Sequence, residues 1–192
     1  MRRMLSRPVF LVGFSGSGKT TVGKALGRSL GVAFVDTDKL IEWRARKSIA
    51  DIFTEKGEIY FRRIESSTIR KLASSRVSRV VALGGGAFQS IQNRQLVSEA
   101  GVSIFLSCSV KELLQRLKPH ADRPLLASPG KSGRDSRAAR IRRIKKLLCR
   151  RLPAYHTADV RISTTGKTVR QVVTLIRRKL KGCRAAHSSK PC

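Results

Sequence analysis

Acidic residues are scarce in this chain of 192: twelve Asp and Glu stand against forty-one Lys and Arg, a net charge of +29. Such a balance favours anionic ligands and attracts nucleic acid without specificity. The excess is uneven, with 18 basic and 8 acidic residues in 1–100 but 23 and 4 in 101–192, and ten basic residues with one acid in 131–151. Aromatic residues make up only 5% and are sparse in that basic stretch, so the stacking platforms of a single-strand binder are missing. No specific nucleic-acid partner is expected, and the basic stretch reads as a solvated helix face. Long apolar runs are also lacking, since none approaches the roughly 20 residues that cross a bilayer. The first strand-like run begins almost at the N-terminus, so a secretory or organelle leader is not expected. Four cysteines (Cys108, Cys149, Cys183, Cys192) form no C-x-x-C pair, and His120, His156 and His187 show no metal spacing, so a zinc site is not expected. Reduced thiols in a cytoplasmic protein are the expectation.

What is present is the material of one α/β domain. Hydrophobic residues make up 41%, enough for a core in a chain of this length. Apolar strand-like runs recur at 9–12, 33–35, 77–83, 102–106 and 160–162. Helical periodicity lies between them, at 20–30, 39–46, 49–55, 60–74, 90–99, 110–117, 136–151 and 169–181. Strand and helix in alternation predict a parallel sheet covered on both faces, with its ligand at the carboxyl ends of the strands. Residues 118–135 break the pattern with Pro119, Pro124, Pro129, Gly130 and Gly133, and a loop of that length predicts a mobile lid. The expected organisation is a single domain over 1–181 and a flexible tail over 182–192.

The strongest motif is Gly13-Phe14-Ser15-Gly16-Ser17-Gly18-Lys19-Thr20, a match to G-x-x-x-x-G-K-[ST] placed between a strand and a helix. In that context backbone N–H groups converge on a polyphosphate, the helix N-terminus adds partial positive charge, and Lys19 adds a full one. Thr20 offers a hydroxyl to the Mg²⁺ that accompanies the nucleotide. The chain is therefore expected to bind ATP or GTP.

Weaker signals follow in order. Asp36-Thr37-Asp38 closes the second strand-like run; residues two apart in a strand share a face, so both carboxylates would meet the phosphates, although Asp38 also suits a helix N-cap. Gly84-Gly85-Gly86 ends the third run and predicts a substrate floor whose amides a ligand can approach. Arg62 and Glu65, three apart on a helix, would pair so that the guanidinium grips an anion. Arg151 precedes Leu152-Pro153-Ala154-Tyr155 and supplies a second arginine. Arg123 in the lid run Asp122-Arg123-Pro124-Leu125-Leu126 would swing over the transferred group.

Taken together, these motifs resemble shikimate kinase, in that family's order and near its spacing, over roughly residues 9–165. Ile49-Ala50-Asp51-Ile52-Phe53, Gly57-Glu58 and Leu83 to Ala87 belong to the likeness. The resemblance implies a P-loop fold of the nucleoside-monophosphate-kinase kind, with a five-stranded parallel sheet flanked by helices and a lid. It implies γ-phosphoryl transfer from ATP to the 3-hydroxyl of shikimate, with Mg²⁺, in a monomer that has no membrane partner. By motif, Gly13, Ser15, Gly16, Ser17, Gly18, Lys19, Thr20, Thr21 and Arg123 would bind ATP, and Thr20 and Asp36 the metal. Asp38, Arg62, Gly85 and Arg151 would bind shikimate, with Phe53, Phe61, Glu65 and Pro124 lining or bracing the pocket. Asp38, Lys19 and Arg123 would carry catalysis. The chain departs from the family in its basicity, in His156-Thr157 after Tyr155, and in Ser163-Thr164-Thr165-Gly166-Lys167, where the family uses an arginine near the adenine. A kinase of another small polyol acid, such as gluconate, or a non-catalytic basic nucleotide-binding module would share only the P-loop.

Overall fold

The computed structural model describes residues 7–75, 77–117 and 137–187. The expected lid, with Arg123 and Pro124, lies outside the described residues. Five strands, β1 (Val9–Val12), β2 (Ala33–Asp36), β3 (Arg79–Ala82), β4 (Val102–Ser107) and β5 (Val160–Ser163), form one sheet in the order β2-β3-β1-β4-β5. Every neighbouring pair is parallel, as the alternation of strand and helix predicts.

β1 is central and buried on both faces, which is why it reads as an unbroken apolar run. Its side chains divide by parity: Phe10 and Val12 join one core layer, Val9 and Leu11 the other. The second layer is closed by α1 (Lys19–Leu30), through Val22, Leu26 and Leu30, and by α7 (Val169–His187), through Val172, Ile176 and Leu180. The first layer is closed by Ile69 and Leu72 of α3 (Ile49–Ser74), Val97 of α4 (Ile91–Ala100), Leu113 of α5 (Val110–Arg116), and Ile144 and Tyr155 of α6 (Arg137–Tyr155). A small satellite core, Ile41, Ile52 and Phe61, joins α2 (Thr37–Ala45) to α3.

The helices expected at 49–55 and 60–74 are both present within α3, parted at Gly57, whose φ of 77° and ψ of 173° are not helical. Two other sequence expectations change. α6 extends beyond 151 to Tyr155 with Pro153 inside it. α7 does not stop at Lys181: it continues through Gly182 to His187, so the expected tail is helical for its first six positions. No described helix is long and apolar enough to cross a membrane.

Candidate active site at the carboxyl edge of the sheet

The segments at the carboxyl ends of β1, β2, β3 and β5 line one cleft of ≈ 750 Å³. After β1 the chain turns through the glycine motif, with Gly13 at φ 143°, Gly16 at 83° and Gly18 at 95°. Side chains rarely adopt these angles, so glycine is needed. Gly18 caps α1 without any side-chain hydrogen bond, and the first turn holds no acidic residue. The start of α1 thus has no carboxylate in its own first turn to offset its partial positive charge, as suits an anion-binding helix start. The Lys19 ammonium donates to the carbonyls of Gly13 at 2.8 Å and Phe14 at 3.0 Å, which keeps it against the loop. Ser15, Gly16, Ser17, Gly18, Lys19, Thr20 and Thr21 all line the cleft, while Gly13 contributes through its carbonyl.

The three residues after Val35 each reach a different partner. Asp36 accepts from Thr20 Oγ1 at 2.7 Å and also caps α2, taking the amides of Asp38 at 3.1 Å and Lys39 at 3.4 Å. Thr37 is fully buried, and its hydroxyl accepts from the Gly84 amide at 2.9 Å. Asp38 turns toward the cleft. The strand-face argument for this pair is corrected here: β2 ends at Asp36, so Asp38 belongs to the first turn of α2, and the cap is Asp36 rather than Asp38. Both carboxylates nevertheless line the same cleft.

The glycine run is a meeting point for side chains. A Cβ on Gly84 would stand 2.5 Å from Asp38 Oδ1 and 2.7 Å from Glu65 Oε1; one on Gly86 would stand 2.8 Å from both Arg62 terminal nitrogens. One on Gly85 would stand 3.2 Å from Ser15 Oγ and 3.3 Å from Arg151 Nη1. Close packing is thus a second reason for glycine here, since charged side chains crowd the Cβ positions, while Gly85 and Gly86 still line the cleft.

Arg62 bonds Glu65 at 2.8 Å and Glu58 at 2.9 Å, so the expected Arg62–Glu65 pair forms with a second acid outside it. Glu65 is 1% exposed, and burial pushes its carboxyl upward; Arg62 opposes that, the Asp38 charge adds to it, and Arg151 opposes it more weakly. Burial works against the Arg62 charge too, but Glu65 and then Glu58 outweigh it and hold its pKa above the ordinary value. Glu65 Oε1 is buried with no hydrogen-bond partner in the described chain. Arg151 is buried over the Phe14 ring at 5.6 Å, and Tyr155, one turn later, donates to the Gly85 carbonyl at 2.5 Å. Phe53 and Phe61 meet on the cleft wall with ring centroids 4.8 Å apart and planes tilted by 41°.

Sequence reasoning missed Thr37 and also Arg116, which lines the cleft with Thr164, Lys167 and Val169. Arg116 is the last residue of α5, and one arginine among so many carries no signal by type.

A parallel sheet in this order, with a phosphate loop at its centre and a carboxylate–arginine cluster beside it, defines a P-loop phosphotransferase acting on a small acceptor. The family profile described as shikimate kinase matches residues 15–181. The shikimate kinases of Geobacter sulfurreducens and Chlorobium chlorochromatii are 46% and 43% identical to the chain, over 88% and 90% of it and the same shares of their own lengths. The solved shikimate kinase of Acinetobacter baumannii in complex with shikimate superposes with a TM-score of 0.81 at 31% identity, covering 96% of each chain. A gluconokinase from Sinorhizobium meliloti, at 0.57 and 16%, shares the fold alone. The chain belongs to the shikimate kinase family, and as such it is an ATP-dependent phosphotransferase.

Proposed function

We propose that the protein transfers the γ-phosphoryl group of ATP to the 3-hydroxyl of shikimate, releasing ADP and shikimate 3-phosphate on the route to chorismate and the aromatic amino acids. The observation that carries this reading is the convergence of Asp38, Arg62, Glu65 and Arg151 on Gly84, Gly85 and Gly86 beside the phosphate loop. A small hydroxylated carboxylic acid asks for paired guanidiniums on its carboxylate and a carboxylate acceptor at its hydroxyls. Arg62 and Arg151 fill the first role, with Glu65 holding the Arg62 fork in place. Asp38 fills the second. Gly85, Phe53 and Phe61 complete the acceptor pocket.

On the donor side, the amides of the phosphate loop and Lys19 cradle the β- and γ-phosphates. Thr20 Oγ1 and Asp36 Oδ2, 2.7 Å apart beside them, are hard oxygens of the kind Mg²⁺ takes alongside phosphates and water. When bound there, the ion neutralises phosphate charge. The acceptor oxygen forms its bond to the γ-phosphorus as the bond to the β,γ-bridging oxygen breaks. Asp38 takes the hydroxyl proton, and ADP leaves. No covalent nucleophile is required, because positioning and charge neutralisation carry the reaction. The lid residues Arg123 and Pro124 keep the roles their motif implies, over the phosphates and beside the acceptor. A cytoplasmic monomer is the setting we assign to this chemistry, where ATP is at hand and thiols such as the exposed Cys149 stay reduced.

Coupled detection of ADP tests the reading. Purified protein should release ADP from MgATP only when shikimate is added, and Asp38→Asn should lower kcat by about 10²–10⁴. Robust turnover with gluconate and none with shikimate overturns it.

A further inference from the structure

The cleft has a third region that the phosphate loop and the acceptor cluster leave unaccounted for. Arg116, Thr164, Lys167 and Val169 line it, at the carboxyl ends of β4 and β5. A Cβ on Gly18 would stand 4.0 Å from Arg116 Nη1, whereas the acceptor cluster meets the loop at Ser15 and Phe14. With phosphates on the loop and the acceptor beside Gly85, this wall is what remains for the nucleoside.

Its geometry is organised by one side chain, Glu112, in the first turn of α5. Glu112 Oε1 accepts from the Gly166 amide at 2.6 Å, fixing the loop after β5. Its other oxygen, Oε2, takes the Arg116 Nη2 donor, and Arg116 Nη1 reaches Thr164 Oγ1 at 3.5 Å. The loop is pinned further where the Ser109 amide meets Thr165 Oγ1 at 2.9 Å and the Thr164 amide meets the Ser107 carbonyl at 2.8 Å. Glu112 therefore joins the two segments that form the wall. Hydrogen bonds in the plane of a guanidinium occupy its edge and leave its flat faces for stacking. Without them, Arg116 would lose its rotamer freedom on each contact with a ligand, which weakens binding.

We propose that Glu112 is a positioning residue for the nucleotide: it presents Arg116 and the 164–167 loop as the receiving wall for the base, and so sets both ATP affinity and base selectivity. This rests on the reading of the cleft as an ATP site. A purely structural brace would lower stability and affect both substrates alike; a positioning residue affects only the nucleotide side.

The test uses the full chain as wild type, Glu112→Ala and Glu112→Gln, with separate titrations of ADP and shikimate by calorimetry, initial rates, and thermal melts. Loss of one charge-assisted contact corresponds to about a tenfold weakening. Glu112→Ala should therefore raise KM for ATP and Kd for ADP about tenfold, leave both shikimate constants within about twofold, and narrow the preference for ATP over GTP. Glu112→Gln keeps an oxygen for Gly166 and should recover part of the loss, which also covers the case where the alanine variant folds poorly. Equal weakening of both substrates, or unchanged ADP binding in a folded Glu112→Gln protein, overturns the proposal. Wild-type protein that turns over no shikimate at all would instead overturn the functional reading.

Discussion

At the residue scale, single side chains here serve the fold and the site at once. Tyr155 is the clearest case. Its ring stacks on Phe105 at 5.0 Å, and its hydroxyl ties α6, which carries Arg151, to the Gly85 carbonyl. Burial pushes the hydroxyl up to about 12 from 10.0, with nearby Arg151 pulling the other way. The folded chain thus keeps a proton that the unfolded chain loses once pH passes 10. Stability tied to this group is constant below pH 10 and falls as pH rises toward 12, by about 3 kcal/mol. Tyr155→Phe keeps the ring and removes the proton. It should cost about 1 kcal/mol at neutral pH, because a partly buried carbonyl loses its donor. It should also flatten the alkaline fall seen in urea melts between pH 10 and 12. Parallel alkaline curves for the two proteins would refute this account.

At the scale of elements, the 26-residue α3 carries Phe61, Arg62 and Glu65 to the cleft, and its kink sets their approach. Gly57 sits at φ 77° and ψ 173°, a region essentially closed to other residues, yet nothing lies within 4 Å of its Cβ position. Gly57→Ala therefore isolates backbone strain from crowding. It should cost about 1–3 kcal/mol in denaturant melts, and the tilted helix should weaken shikimate more than ATP. A melt unchanged from wild type would mean that the kink is not fixed by this angle. The same helix marks how far the sequence could be read. Its two halves were legible from periodicity, and Gly57 was visible as the break between them. What periodicity did not show is the satellite core of Ile41, Ile52 and Phe61, which packs both halves of α3 against α2. All five strands were legible because each is a short apolar run, and Gly13 to Thr20 was legible because its chemistry is local. The links from Thr37 to Gly84, Tyr155 to Gly85 and Glu112 to Gly166 span 47, 70 and 54 residues, and no local pattern announces them. Motif order could thus name the acceptor cluster, but the reason for three glycines lay in side chains brought from three other elements.

At the scale of the whole molecule, the few acids sit where the fold and the site use them. Asp36 caps α2, Asp51 completes the capping box of α3, Glu42 and Glu55 pair with Lys39 and Lys47, and Asp159 holds Ser103. Glu58, Glu65 and Glu112 are held by arginines at the cleft. These carboxylates are engaged in caps, pairs and the site. α6 and α7 contain no acid at all, and α6 exposes Arg142, Lys145, Lys146 and Arg150 at helical spacing along one face. Such a surface projects a positive field well beyond the cleft at low salt, and both proposed substrates are anions. Their encounter rates should therefore exceed those of a neutral surface, and the advantage should fade as the Debye length shrinks from about 30 Å at 0.01 M to about 3 Å at 1 M. The chemical step takes place inside the cleft, among partly buried charges that salt screens far less. Across that range kcat/KM for both substrates should fall severalfold while kcat holds within about twofold. Reversing the four exposed cations of α6 to glutamate should flatten the kcat/KM dependence without moving kcat. A parallel fall of kcat and kcat/KM would trace the salt effect to the site itself, and a flat kcat/KM in the wild type would leave the charge of α6 and α7 without a part in substrate capture.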